Sequence, residues 1–374
     1  MPGPDADENV PAQRSRVKLL GLAAAVVGLG GGLGAFELVA RGRDTGGGAP
    51  SAGKTEAARS GSPTPTARPL VIPPKARFLA PPPGEKYFGV ASPGAPRVPS
   101  VLHGIGVDAG GVAPNLVEYF VNWTQEYDAQ KVQSAYAQHA FPVITWEPWA
   151  GAALGTTQPA YSLATIIDGR HDTYVRTFAQ AVKDHGWPLA LRLGHEMNGH
   201  WYPWAEPNGV NRPGQFAAAW KHVHAVFQDV GADNVIWIWA PNTLRGADPV
   251  SLHSLYPGDA YVDWIGMSAY DVTEWTADHL IGPTLTEIRT FTGLPLLITE
   301  TGAQPGPQKA PWTTDFFAWL RHRPDVLGFV WFEYTHAQGG GTDWNFTSSP
   351  RSRTAFRAGV RTLNLVGIPD GTGG

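Results

Sequence analysis

Residues 188–196 read PLALRLGHE, and the chain continues MNGHWYPW through residue 204. The apolar run is nearly continuous and too short for a packed helix. It suits a strand buried on both faces, as in a parallel sheet covered by helices. It ends on a histidine and a glutamate. Arg192 precedes Glu196 by an even spacing, so both side chains lie on one side of the strand. A charged pair on the inner side of such a strand points to a barrel whose interior carries chemistry.

Seven further runs share this character: 87-YFGVAS-92, 116-LVEYFVNW-123, 141-FPVITWEPW-149, 234-NVIWIWAPN-242, 261-YVDWIGMSAY-270, 295-PLLITETG-302 and 327-LGFVWFEY-334. Amphipathic stretches lie between them, such as 172-DTYVRTFAQAVKDHG-186 and 214-GQFAAAWKHVHAVFQDVG-231, each stopped by glycine. A last helical pattern covers 351–363. Alternating buried strands and helices predict an α/β fold, a (β/α)8 TIM barrel spanning residues 86–368.

The N-terminal part reads differently. Residues 1–18 read as a cytoplasmic n-region, with Arg14, Arg16 and Lys18 just before the apolar segment. Residues 19–40 contain an apolar helix, either an uncleaved signal anchor or a cleaved signal peptide. Residues 41–85, rich in Gly, Ser, Pro and Thr, read as a disordered linker. Together they predict an extracellular or cell-surface barrel, secreted or tethered to the membrane through the N-terminal segment.

Composition excludes several functions. The formal net charge is -4 and no basic stripe appears, so nucleic acid is not an expected partner. The chain has no cysteine, which removes thiol catalysis and disulfides. His195 and His200 are five apart rather than the four of a zinc helix, and no metal or other cofactor is expected. The expected protein is a monomer.

In a (β/α)8 barrel the chemistry sits where the strands end. Those positions carry Trp146 and Glu147, His195 and Glu196, Trp239 and Asn242, Ser268 and Tyr270, Glu300, and Trp331 and Glu333. Glu196 and Glu300 end the fourth and seventh strands and face one mouth. A carboxylic acid opposite a carboxylate is what glycoside hydrolysis requires: one protonates the leaving oxygen, the other faces the anomeric carbon. Fifteen tryptophans supply flat apolar platforms for sugar rings. Trp201, Tyr202 and Trp204 are expected to form part of such a platform beside Glu196, and Trp237 to be core. Arg192 is expected to hold a carboxylate. Glu147 and Glu333 read as supporting hydrogen-bond groups, and Trp146 and Asn242 as substrate-binding residues.

HEMNG followed by WYPW, then WIGMSAYD, ITETG and VWFEY in that order, resembles glycoside hydrolase family 26, a family of retaining (β/α)8 glycosidases. The resemblance covers roughly residues 86–363. It implies endo-acting hydrolysis of β-linked plant or microbial polysaccharide, most often β-1,4-mannan. It matches Glu196 to the acid/base, Glu300 to the nucleophile, His195 to the histidine before the acid and Tyr270 to the tyrosine that bonds the nucleophile. Trp201 and Trp331 match aromatic residues lining the sugar site. The WYPW string departs from the W-F-W-W common in mannanases of the family. It leaves a mixed-linkage β-1,3-1,4-glucanase or a β-xylanase as alternatives. A non-hydrolytic polysaccharide-binding surface protein is the other alternative.

Overall fold

The computed structural model describes residues 71–273 and 275–370. The expected n-region, the apolar segment at 19–40 and the linker as far as residue 70 lie outside the described residues. Among the described residues no helix is long and apolar enough to cross a membrane.

Eight parallel strands form the core: β1 (Glu85–Ala91), β2 (Leu116–Asn122), β3 (Phe141–Glu147), β4 (Leu189–Leu193), β5 (Val235–Trp239), β6 (Trp264–Asp271), β7 (Leu296–Ala303) and β8 (Val326–Phe332). They pair in sequence order, and β1 pairs with both β8 and β2, which closes the barrel. A two-residue strand, β9 (Asn364–Leu365), adds to the base of β1. Each expected run coincides with one strand. All residues of β3, β4 and β5 are buried, which is why their sequences do not alternate.

Helices cover the outer faces. Asp172–His185 turns Val175, Phe178, Ala179 and Val182 inward and stops at Gly186 in the left-handed region. Gln215–Val230 buries Phe216, Trp220, Val223 and Phe227 and stops at Gly231 in the same way.

One boundary needs correction. The expected linker runs to residue 85, yet its final stretch is part of the folded barrel. Ala76–Leu79 forms one helical turn under the barrel floor. Phe78 is fully buried, stacked on Phe141 at 4.5 Å with Tyr136 edge-on at 6.1 Å. Tyr87 and Trp264 donate hydrogen bonds to the carbonyls of Phe78 and Leu79, at 3.0 and 2.9 Å. Lys75 pairs with Asp263 at 3.2 Å. The proline run 81–83 made this stretch read as linker; it instead carries the chain from floor to first strand.

Candidate active site

Four strands send polar side chains into the barrel around Arg192 of β4, which is fully buried. Its guanidinium makes a short bond to Oε1 of Glu300 from β7. It also reaches Glu118 of β2 at 3.2 Å and Thr145 of β3 at 3.4 Å, and donates to Ser268 of β6 at 2.7 Å. Burial works against the arginine's charge, but Glu300, Glu118 and Glu196 more than offset it and hold the group ionised. The other carboxylate oxygen of Glu300, Oε2, accepts the Tyr270 hydroxyl at 2.6 Å. Both oxygens of Glu300 are thus held from different strands, and the residue keeps 6% of its surface open.

Glu196 is placed by the turn that leaves β4. Its φ is 54°, a left-handed conformation that costs a non-glycine residue about 1–2 kcal/mol. The strain is held by the Glu196 N–H donating to the Ala240 carbonyl at 2.7 Å, at the end of β5. The Trp201 indole N–H donates to Oε2 of Glu196 at 2.8 Å. Gly199 makes that approach feasible: a Cβ there would sit 2.3 Å from the Trp201 ring. Burial, then the charge of Glu300, pushes the Glu196 carboxyl up to about 7, against the opposing pull of Arg192, Ser268 and Trp201.

His195, beside Glu196, is buried. One ring nitrogen bonds the Tyr202 hydroxyl at 2.8 Å, and Phe120 meets the ring edge-on at 6.1 Å. Burial and, secondarily, Arg192 hold the imidazole well below its usual range, so it is neutral. Asn242 is half-buried. Its N–H and carbonyl bond the two ends of the Asn198 amide at 2.8 Å each, stapling the turn after β4 to the end of β5.

The structure therefore brings Glu196, Glu300, Arg192, His195, Tyr270, Trp201 and Asn242 to one mouth. It does not bring Trp146 and Trp331 there. Trp146 is fully buried on the outer face of β3, stacked on Phe178 at 4.6 Å, with its N–H on Tyr174. Its neighbour Thr145 faces inward to Glu118, so strand alternation sends Trp146 out. Trp331 packs outward against Phe356 at 5.0 Å and Trp312 at 6.1 Å, while Phe332 faces inward to Tyr270. Tyr202 and Trp204 also differ from the expected platform. They are buried and stacked on each other at 4.1 Å, and Trp204 donates to the His195 carbonyl at 2.7 Å. They brace the turn from behind rather than offering a face. Trp237 and Trp239 are both core.

Residues missed in the sequence complete the site. Glu118 is fully buried, and burial, opposed by Arg192, raises its carboxyl to about 7. A glutamate within the apolar run 116–123 was its signal. Phe120, Phe332 and Tyr334 form an aromatic wall; the last two stack at 4.3 Å, and Phe120 and Tyr334 are half-buried. Trp344, against Tyr270 at 4.6 Å, comes from a loop with no periodic signal. Glu147 is buried, and burial pushes it up to about 8. Among the described residues no group of three or more His, Asp or Glu side chains is placed to hold a metal ion.

Comparisons with known proteins bear on this arrangement. Residues 162–281 match the model of glycosyl hydrolase family 26, a segment that includes Arg192, Glu196 and Tyr270. Endoglucanase H of Acetivibrio thermocellus is 29% identical over 259 residues, covering 66% of this chain and 27% of its own length. The mannan endo-1,4-beta-mannosidase of Bacillus subtilis strain 168 is 26% identical over 158 residues, covering 37% of this chain and 41% of that protein. The chain thus spans less than half the length of either relative. In fold it is similar to a modular endo-beta-1,4-mannanase from Cellulomonas fimi, with a TM-score of 0.61 and 16% identity over 78% of this chain and 74% of that one.

Proposed function

We propose that the chain is an endo-acting glycosidase of glycosyl hydrolase family 26, a reading supported by the match of residues 162–281 to that family's model. In this reading it cleaves β-linked polysaccharide with retention of anomeric configuration, and β-1,4-mannan is its substrate. The observation that carries the reading is the unequal treatment of two carboxyl groups in one mouth. Glu300 is held through both oxygens by Arg192 and Tyr270, which fixes its carboxylate at the mouth. Glu196 is buried beside that charge and retains a proton near neutrality. A buried carboxyl that keeps its proton suits the acid, and a carboxylate clamped by a cation and a hydroxyl suits the nucleophile.

The reaction then runs in two displacements. Glu196 gives its proton to the glycosidic oxygen as a Glu300 oxygen bonds the anomeric carbon and the aglycone leaves. The Glu196 carboxylate next takes a proton from water, and the water oxygen displaces Glu300 from the same carbon. Glu196 ends protonated and Glu300 ionised, as they began. Trp201 orients the acid and offers its ring to a sugar face; Phe120, Phe332 and Tyr334 offer the opposite wall. His195, neutral, positions the acid's turn through Tyr202.

A β-glucan is the second reading. Two observations favour it: the WYPW turn, and the endoglucanase name of a relative that is 29% identical over 259 residues. Retention of both carboxyls argues against a non-hydrolytic binding protein. In this proposal the apolar segment at 19–40 delivers the barrel to the outer face of a membrane, where polymer substrates are met. Incubation with mannan, glucomannan, lichenan, xylan and cellulose tests the reading. Internal cleavage of mannan to oligosaccharides is expected. Cleavage of lichenan alone would select the second reading, and inactivity on all five would overturn both.

A further inference from the structure

Lys309 has no part in the chemistry above, yet it is 1% exposed at the start of the helix Lys309–Arg321. A buried cation at a helix N-terminus is doubly unfavourable, because burial penalises the charge and the helix dipole repels it. Its ammonium group donates to three successive backbone carbonyls, those of Asp343, Trp344 and Asn345, at 2.8, 3.0 and 2.9 Å. Three consecutive carbonyls converging on one point make a cation cage, and the lysine fills it. Glu333 grips the next residue from the other side, accepting the Phe346 N–H at 2.9 Å. Burial lowers the amine to about 8, with Glu333 and Asp343 opposing.

The clasped segment carries Trp344. Its indole N–H bonds the Gly340 carbonyl at 2.7 Å, and its own carbonyl accepts the Trp331 N–H at 3.0 Å. The indole ring lies 4.6 Å from the Tyr270 ring. Tyr270 in turn donates its hydroxyl to Glu300. A continuous packed path thus runs from the Lys309 ammonium to the Glu300 carboxylate.

We propose that Lys309 is a positioning residue. By caging the 343–345 carbonyls it fixes Trp344, which keeps the Tyr270 hydroxyl on Glu300. The inference rests on the reading of Glu300 as nucleophile. A lysine needed only for stability would leave Tyr270 undisturbed in any variant that folds.

The test uses Lys309→Met, and Lys309→Gln as the milder variant that keeps a donor, in the full chain labelled with 13C at tyrosine ring carbons. Tyr270→Phe assigns the Tyr270 signal, which the nearby indole shifts. In whichever lysine variant melts cooperatively, the Tyr270 signal is expected to move and broaden; an unchanged signal overturns the proposal. On the wild-type substrate, Lys309→Met is expected to lower kcat/KM about tenfold and to add little in a Tyr270→Phe background. Additive losses would overturn it. If the wild type turns over no β-glycan, the proposed function fails, and the NMR arm still decides the role of Lys309.

Discussion

The indole N–H of Trp201 donates to Oε2 of Glu196 at 2.8 Å, so this carboxyl is held by an aromatic side chain from its own turn. An indole is a donor only, and it bonds the carboxylate more strongly than the neutral acid. It therefore opposes the burial that raises Glu196.

Trp201→Phe keeps a ring and removes that donor. In the proposed mechanism Glu196 acts as the protonated acid, so activity is expected to fall as pH rises through its value near 7. Without the donor the carboxylate is less favoured and the alkaline limb of kcat/KM is expected to move to higher pH. The optimum rate should drop by about 1–3 kcal/mol, for the lost bond and ring contact together. A pH–rate profile checks both. An unmoved limb would mean that the bond does not govern the acid.

Phe78 closes the barrel floor, so a chain beginning at Lys86 is expected to be markedly less stable than one beginning at Val71. Phe78→Ala isolates the contact and should cost about 3–5 kcal/mol, the range for a buried phenylalanine whose cavity cannot collapse. Denaturant unfolding measures it. Equal stability of the two truncations would show that the docked turn contributes nothing.

Glu147 predicts a pH effect on stability with a definite sign. Burial raises its folded value to about 8 from the 4.5 of a free glutamate. The fold favours the protonated form. Its contribution is full below about 4.5 and is lost as pH rises toward 8, at up to about 1.4 kcal/mol per unit. Glu147→Gln removes the titration without removing the shape. The difference in unfolding free energy between variant and wild type should therefore move in the variant's favour between pH 5 and 8. A constant difference across that range would contradict burial as the cause.

The strands were legible because helices cover the barrel on all sides, which leaves long apolar runs ending at the mouth. The acidic pair was legible because Glu196 and Glu300 stand at those ends. Which way each tryptophan faces was not. Trp146 and Trp331 each sit one position from an inward residue, and a single step along a strand reverses the face. Only an inward marker fixes that phase: Thr145 against Glu118 in one case, Phe332 against Tyr270 in the other. Trp344 and Phe78 escaped notice because they lie outside any periodic pattern and are held by tertiary contacts alone.

The two glutamates are expected to fail differently. Glu196→Ala should lose most activity on polysaccharide, yet still be glycosylated by substrates with good leaving groups. Azide should rescue it with retained configuration. Glu300→Ala should show no such rescue, because nothing remains to form the first bond. Proton NMR of the azide product distinguishes the cases.

The central claim is that Glu300 bonds the anomeric carbon. A 2-deoxy-2-fluoro glycosyl fluoride of the sugar released from the substrate slows hydrolysis of the intermediate and lets it accumulate. Peptide mass spectrometry of the inactivated protein should place one glycosyl group on the Glu300 carboxylate and none on Glu118, Glu147 or Glu196. A label on any of those three, or steady turnover with an inverted product and no label, would contradict the account.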